Sequence, residues 1–158
     1  MQIQDGKHLT FCLGKEDYGI PILQVREIIG MMDITHVPKT PSYIKGVINL
    51  RGKIIPIMDL RLKFNMNPAE YTERTCIIVV EVNVNQIKKP MGLVVDMVSE
   101  VVNIDKDEIE EALDYGAKVE GDFLTGLGKV KDKVVMLLEI EKIFDNNDFS
   151  IVFEEAKV

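Results

Sequence analysis

The chain repeats itself, and that constrains its fold more than any other feature. Moved forward by 80 positions, YIKGVINLRGKIIPIMDLRLKF (43–64) falls on FLTGLGKVKDKVVMLLEIEKIF (123–144) without a gap. Gly46 meets Gly126, Arg51 meets Lys131, Lys53 meets Lys133, Asp59 meets Glu139 and Phe64 meets Phe144. A second match has an offset of 73: YGIPILQVREII (18–29) lies on MGLVVDMVSEVV (91–102), pairing Gly19 with Gly92, Val25 with Val98 and Glu27 with Glu100. Two matches in the same order mark an internal duplication, and a duplicated unit is a repeated piece of supersecondary structure.

Each unit reads as five short strands. Val- and Ile-rich runs bounded by Gly, Asp, Asn or Pro place them at 8–14, 17–23, 24–30, 45–51 and 53–59, then at 75–82, 90–96, 97–104, 125–131 and 133–140. Five strands in so short a stretch fit a small β-barrel of SH3-like size. The fold class is therefore mainly β, with two pseudo-repeated subdomains at about 8–66 and 75–145 inside a single domain, 1–158. The polar stretch MNPAEYTER (66–74) reads as the seam. Helix is scarce. Asp105 and Glu108 form a capping-box pattern before a short helix at 109–113. Single turns are expected at 60–65 and 141–145, and the tail 146–158 could form a short amphipathic helix through Phe149, Ile151, Val152 and Phe153.

The proline in the first repeat breaks the symmetry. Pro56 cannot donate to a ladder, so 53–59 is expected at a sheet edge or at a bulge; its counterpart Met136 carries no such restriction.

Charge and motif content narrow the function. A net charge of −7 and a pI near 4.9 argue against nucleic acid and against anionic membrane surfaces. The polar N-terminus does not read as a signal peptide, and no apolar run approaches the roughly 18 residues of a membrane span. The two cysteines, Cys12 and Cys76, lie in apolar runs and read as buried reduced thiols, which points to the cytoplasm. GVINLRGK imitates a phosphate loop, but that motif needs four residues between its glycines and a hydroxyl residue after the lysine. Here five residues separate Gly46 from Gly52, and Ile54 follows Lys53. The two histidines, His8 and His36, read as surface residues with no metal-ligand spacing. No catalytic constellation, metal site or cofactor site can be assembled from these residues.

What remains is a binding protein. Its unusual residues are charges set into apolar strands: Glu27 and Arg51, with Glu100 and Lys131 as their repeat counterparts. Each charge could face solvent alone. Alternatively, Glu27 and Arg51 lie near each other on adjoining strands.

YGIPILQVREII, TPSYIKGVINLRGKIIPIMDLRLKF and FLTGLG with VVMLLEIEKIF strongly resemble the CheW family of chemotaxis coupling proteins, over about 9–144. The resemblance implies two five-stranded β-barrel subdomains around a shared hydrophobic core. It also implies a non-enzymatic adaptor, without cofactor, that joins methyl-accepting chemoreceptor tips to the regulatory domain of the histidine kinase CheA in receptor arrays, and so serves signalling to the flagellar motor. Such an adaptor would be cytoplasmic, recruited to membrane-associated arrays, and a monomer when isolated. Carried residue by residue, the family's kinase contacts fall on Val25, Glu27, Ile34 and Gly46. Its receptor contacts fall on Arg51, Cys76, Val98 and Val101. Cys76 stands where an aliphatic residue is expected, and Val98 could equally be a core residue.

Overall fold

The computed structural model describes residues 5–84, 86–111 and 123–144. In chain order the strands are β1 (Gly6–Leu13), β2 (Glu16–Pro21), β3 (Val25–Gly30), β4 (Ile44–Leu50) and β5 (Lys53–Asp59), then β6 (Cys76–Val84), β7 (Ile87–Val95), β8 (Met97–Ile104), β9 (Ile109–Glu111), β10 (Leu124–Val130) and β11 (Lys133–Leu138). One-turn helices α1 (Leu60–Lys63) and α2 (Ile140–Ile143) follow β5 and β11. β4 and α1 map onto β10 and α2 with the same offset of 80 that the sequence shows.

The protein is mainly β, in two sheets. One has the order β3-β6-β7-β5-β4 and the other β8-β1-β2-β11-β10-β9. Under the repeat, β3, β6, β7, β5 and β4 correspond to β8, β1, β2, β11 and β10, so the second sheet copies the first and adds β9. Each sheet takes strands from both sequence halves. The crossings are the parallel pairs β5–β7 and β2–β11 and the antiparallel pairs β3–β6 and β1–β8. The repeat boundaries at 8–66 and 75–145 are thus divisions of the sequence that the sheets do not follow.

This exchange explains why β6 reads as a continuous apolar run. Ile78, Val80 and Val82 enter a large core that also takes Leu9, Phe11, Leu93 and Leu138. The alternate residues Ile77 and Val79 enter a smaller core with Ile48, Ile55, Ile57 and Val94. A strand buried on both faces needs apolar residues at every position. A third cluster, Ile104, Ile109, Val135 and Leu137, fills the second sheet. The large cluster is the shared core, because it draws on both sheets.

Each sheet curls until backbone beyond its first strand reaches its last. In the first sheet, Thr35, just past β3, exchanges hydrogen bonds with Val47 of β4 at 2.8 and 2.9 Å. In the second, β9 pairs with β10 through Glu111↔Gly126, Glu110↔Leu127 and Ile109↔Gly128. The matched glycines make this possible. A Cβ on Gly46, whose φ is +140°, would sit 2.0 Å from the Thr35 carbonyl oxygen, and one on Gly126 would sit 3.0 Å from the Glu110 oxygen.

Three expectations need correction. The capping box at 105–108 does form, with the Glu108 carboxylate accepting from the Asp105 amide at 3.0 Å. It opens only one 3-10 turn, Lys106–Glu108, and the residues that follow become β9 rather than a helix. Gly126 lets the backbone pair there; positions 112–113 and the tail 146–158 lie outside the described residues. Second, β5 is not an edge strand, since it lies between β7 and β4, and the register shift in the β4–β5 pair lies on β4 at Ile44/Gly46. Pro56 is accommodated because the parallel ladder with β7 starts one residue later, at Ile57, whereas β11 pairs from Val135, the counterpart of Ile55. Third, His8 is buried at 1% exposure. Its Nδ1 lies 3.0 Å from the Gly6 carbonyl oxygen, and burial lowers its pKa from the ordinary 6.5.

Two outcomes are expected. Gly46→Ala should cost about 3 kcal/mol or more, because it adds backbone strain to a clash. Urea unfolding measures the cost, and fast amide exchange at Thr35 and Val47 would show the lost bridge. His8 binds a proton more readily unfolded than folded. Its contribution is therefore complete above pH 6.5 and is lost as the pH falls through the lower folded-state value. Urea midpoints should drop below pH 6.5 in the natural protein, and that step should be absent in His8→Gln.

Candidate functional site

The charged residues singled out by the repeat do pair. Arg51 Nη2 forms an ion pair with Glu27 Oε1, and Lys131 Nζ stands 3.6 Å from Glu100 Oε1. The pairs are not on adjoining strands. β3 and β4 are the two edges of the first sheet, so the bridge from Glu27 to the β4–β5 turn spans the mouth of its curl. The Arg51 side chain is 69% exposed and that of Glu27 33%.

Local geometry explains this presentation. Leu50 pairs with Lys53, leaving a two-residue turn. Arg51 has φ +51° and Gly52 φ +86°, the mirror-type turn that matches strand twist. A non-glycine residue in the left-handed region costs about 1–2 kcal/mol. Lys131 adopts the same conformation, with φ +57°. Both turns hold a basic residue where glycine or asparagine would be easier, and both aim it at a glutamate.

Exposed aliphatic residues accompany the ion pairs. Ile28 follows Glu27 and Val101 follows Glu100; Ile54 and its counterpart Val134 are the second residues of β5 and β11. Only Val101 of these four was singled out from the sequence. The repeat offsets could have found the others, since each pair keeps a branched aliphatic residue at matched outward positions.

The remaining candidates fall into smaller groups. Val25 is half-buried against the large core, and the β3–β6 ladder shifts register between Val25 and Glu27. Ile34 packs against the first sheet's inner core. Gly46 is buried against Thr35, so Ile34 and Gly46 meet through backbone. Cys76 and Val98 lie together at the seam between the sheets, both packed against the large core and the thiol facing the Val98 backbone. Burial raises the Cys76 pKa, outweighing the nearby Val98 backbone, which lowers it. Both cysteines are free thiols and half-buried rather than fully buried. Val98 packs on the large core, while Val101 is 51% exposed.

An ionic latch ties the sheets together nearby. Arg61 of α1 donates from Nε and Nη2 to Asp96, at 2.8 and 2.6 Å, and Asp96 also accepts from the Gly14 amide at 2.7 Å. Burial pushes the Asp96 carboxyl up, but the bonds from Arg61 and Gly14 outweigh it and hold the pKa below the ordinary 3.8. The repeat breaks here: Leu23 is the counterpart of Asp96 and is 96% exposed. Stacked rings run from Phe11 through Tyr18 and Phe64 to Phe123. They end at a 680 Å³ cleft whose lining includes Tyr18, Tyr43, Lys63, Phe123 and Met136. Lys63 Nζ lies 4.3 Å above the Tyr43 ring.

Among the described residues there is no group of His, Cys, Asp or Glu that could hold a metal ion, and no helix long and apolar enough to cross a membrane. The strands thus carry both ion-paired charges and exposed aliphatic side chains.

Comparison with known proteins agrees with this frame. The family model of the CheW-like domain matches residues 7–148, and the chain belongs to that family. It is 40% identical over 149 residues to the chemotaxis protein CheW of Klebsiella aerogenes, covering 94% of this chain and 87% of that protein. It is 38% identical over 139 residues to the chemotaxis protein CheW of Helicobacter pylori, covering 85% and 79%. The crystal structure of the scaffolding protein TtCheW from Thermoanaerobacter tengcongensis superposes with a TM-score of 0.80 at 35% identity, covering 92% of this chain and 96% of that one.

Stability should depend little on the Glu27–Arg51 pair and strongly on the latch. Arg51→Ala is expected to change the unfolding free energy by at most about 1 kcal/mol, as for exposed ion pairs. Asp96→Ala should cost about 2 kcal/mol or more, since it strips a charged acceptor from a half-buried guanidinium and a backbone amide. Urea titration of both variants checks the contrast. The Asp96 contribution is present above pH 3.8 and lost as the pH falls through the lower folded-state value, so acid should narrow the gap between natural protein and variant.

Proposed function

We propose that the protein is a non-enzymatic chemotaxis scaffold that couples methyl-accepting chemoreceptor tips to the histidine kinase CheA in receptor arrays, upstream of the flagellar motor. The observation that carries this reading is the duplicated surface: a glutamate–basic pair flanked by exposed aliphatic residues, once on each sheet of a CheW-like domain. Two similar but unequal faces allow one chain to hold two partners. The names of the relatives, chemotaxis proteins and a scaffolding protein, support the same role.

The two partners call for different chemistry. A receptor tip is a helical hairpin, and Cys76 and Val98 at the seam between the sheets, with exposed Val101 further along β8, offer small apolar side chains for helix-in-groove packing. The kinase regulatory domain would meet the end of the first sheet, where Val25, Glu27 and Ile34 lie and buried Gly46 keeps the backbone in place. Arg51 is bonded to Glu27, so it belongs to the same patch whichever partner it contacts. The protein is a monomer when isolated, cytoplasmic and recruited to membrane-associated arrays, without cofactor and without binding nucleic acid.

Immobilised kinase regulatory domain and a receptor-tip fragment test this directly. The natural protein should bind both. Arg51→Ala and Val25→Asp should weaken binding to at least one partner about tenfold or more, the size expected of a central contact. Val98→Asp should do the same for the receptor tip. Thermal unfolding of each variant separates lost contacts from lost fold, which matters most for the core-packed Val98. A natural protein that binds neither partner would sink the proposal.

A further inference from the structure

The turn that presents Arg51 carries a support that its twin lacks. Asn49 Oδ1 accepts a hydrogen bond from the Gly52 amide at 2.9 Å. Asparagine closes local turns in this way, and here it fastens the second central residue of a tight turn whose first central residue is Arg51. The repeat shows a second way to build this turn, with Lys129, Lys131 and Asp132 where the first has Asn49, Arg51 and Gly52. The counterpart of Asn49 is Lys129, whose ammonium instead pairs with Glu110 at 2.9 Å. The second turn also holds Lys131 in the left-handed region, with its ammonium 3.6 Å from Glu100. Its glutamate is also 55% exposed, against 33% for Glu27.

We propose that Asn49 is a positioning residue: through Gly52 it holds the β4–β5 turn so that Arg51 stands ordered beside Glu27 as a docking group. This rests on the reading of Arg51 as a partner contact. Asn49 need not touch the partner. It narrows the directions open to a long, exposed side chain before binding, which lowers the ordering cost that docking must meet. The difference between the two turns then gives the two faces unequal strength as well as unequal composition.

The test uses the full chain with Asn49→Ala, Asn49→Asp, Arg51→Ala and the Asn49→Ala/Arg51→Ala double variant. Two readouts are taken: affinity for the kinase regulatory domain and the receptor-tip fragment, and NMR exchange of the Gly52 amide with relaxation of Arg51 Nε. In Asn49→Ala the Gly52 amide should exchange faster and Arg51 Nε should lose order. Affinity should fall several-fold for the partner that Arg51→Ala weakens, and the double variant should be no weaker than Arg51→Ala alone, the mark of residues acting as one unit. Asn49→Asp, which keeps the acceptor, should restore Gly52 protection. A full additional loss in the double variant, or unchanged order at Arg51 in Asn49→Ala, would overturn the proposal. If Arg51→Ala leaves both affinities intact, the docking role of Arg51 fails, and the NMR readout alone decides whether Asn49 positions it.

Discussion

The structure depends on hydrogen-bond ladders that cross between the two halves of the sequence. β5 lies parallel to β7 and β11 lies parallel to β2, so each sheet is finished by strands from the other half. Neither sheet can form from one repeat alone. The large core follows from the same exchange, since a strand such as β6 must bury one face inside its own curled sheet and the other against the second sheet. The apolar runs that look excessive for short surface strands are the consequence.

From that frame come two faces with shared geometry and different chemistry. Matched turns place Arg51 and Lys131 in the same strained conformation, each opposite a glutamate on the far edge of its sheet. The departures from symmetry are local. One parallel ladder starts beyond Pro56, at Ile57, Asp96 holds Arg61 where its counterpart Leu23 stands open, and Asn49 closes one turn where Lys129 cannot. The proposed role, one scaffold for two partners, calls for such differences, because identical faces would not tell the partners apart.

Much of this was legible beforehand. Ten of the strands and both one-turn helices follow from periodicity and the two offsets, which also offered a Glu27–Arg51 pair as one of two readings, though on adjoining strands. The misses share a cause. β9 carries too few residues to show a strand pattern, and its identity comes from the room that Gly126 leaves beside β10. Pro56 was expected at an edge because a lone strand gives no sign of where its partner's ladder begins. His8 was expected at the surface because a histidine near a terminus gives no sign that β2 and β8 will flank it. Ile28, Ile54 and Val134 went unremarked because an aliphatic residue in a strand reads as core until the facing layer is known.

The sequence by itself determined the repeat, the strand content and the family. These depend on local spacing and residue chemistry, which are written along the chain. Only the tertiary structure decided that the halves exchange strands, that Glu27 and Arg51 bridge opposite edges of one sheet, and that Asp96 latches one side alone. Those features come from which strands meet across dozens of residues. The pairing is set by the summed burial of the shared core, which no single segment encodes.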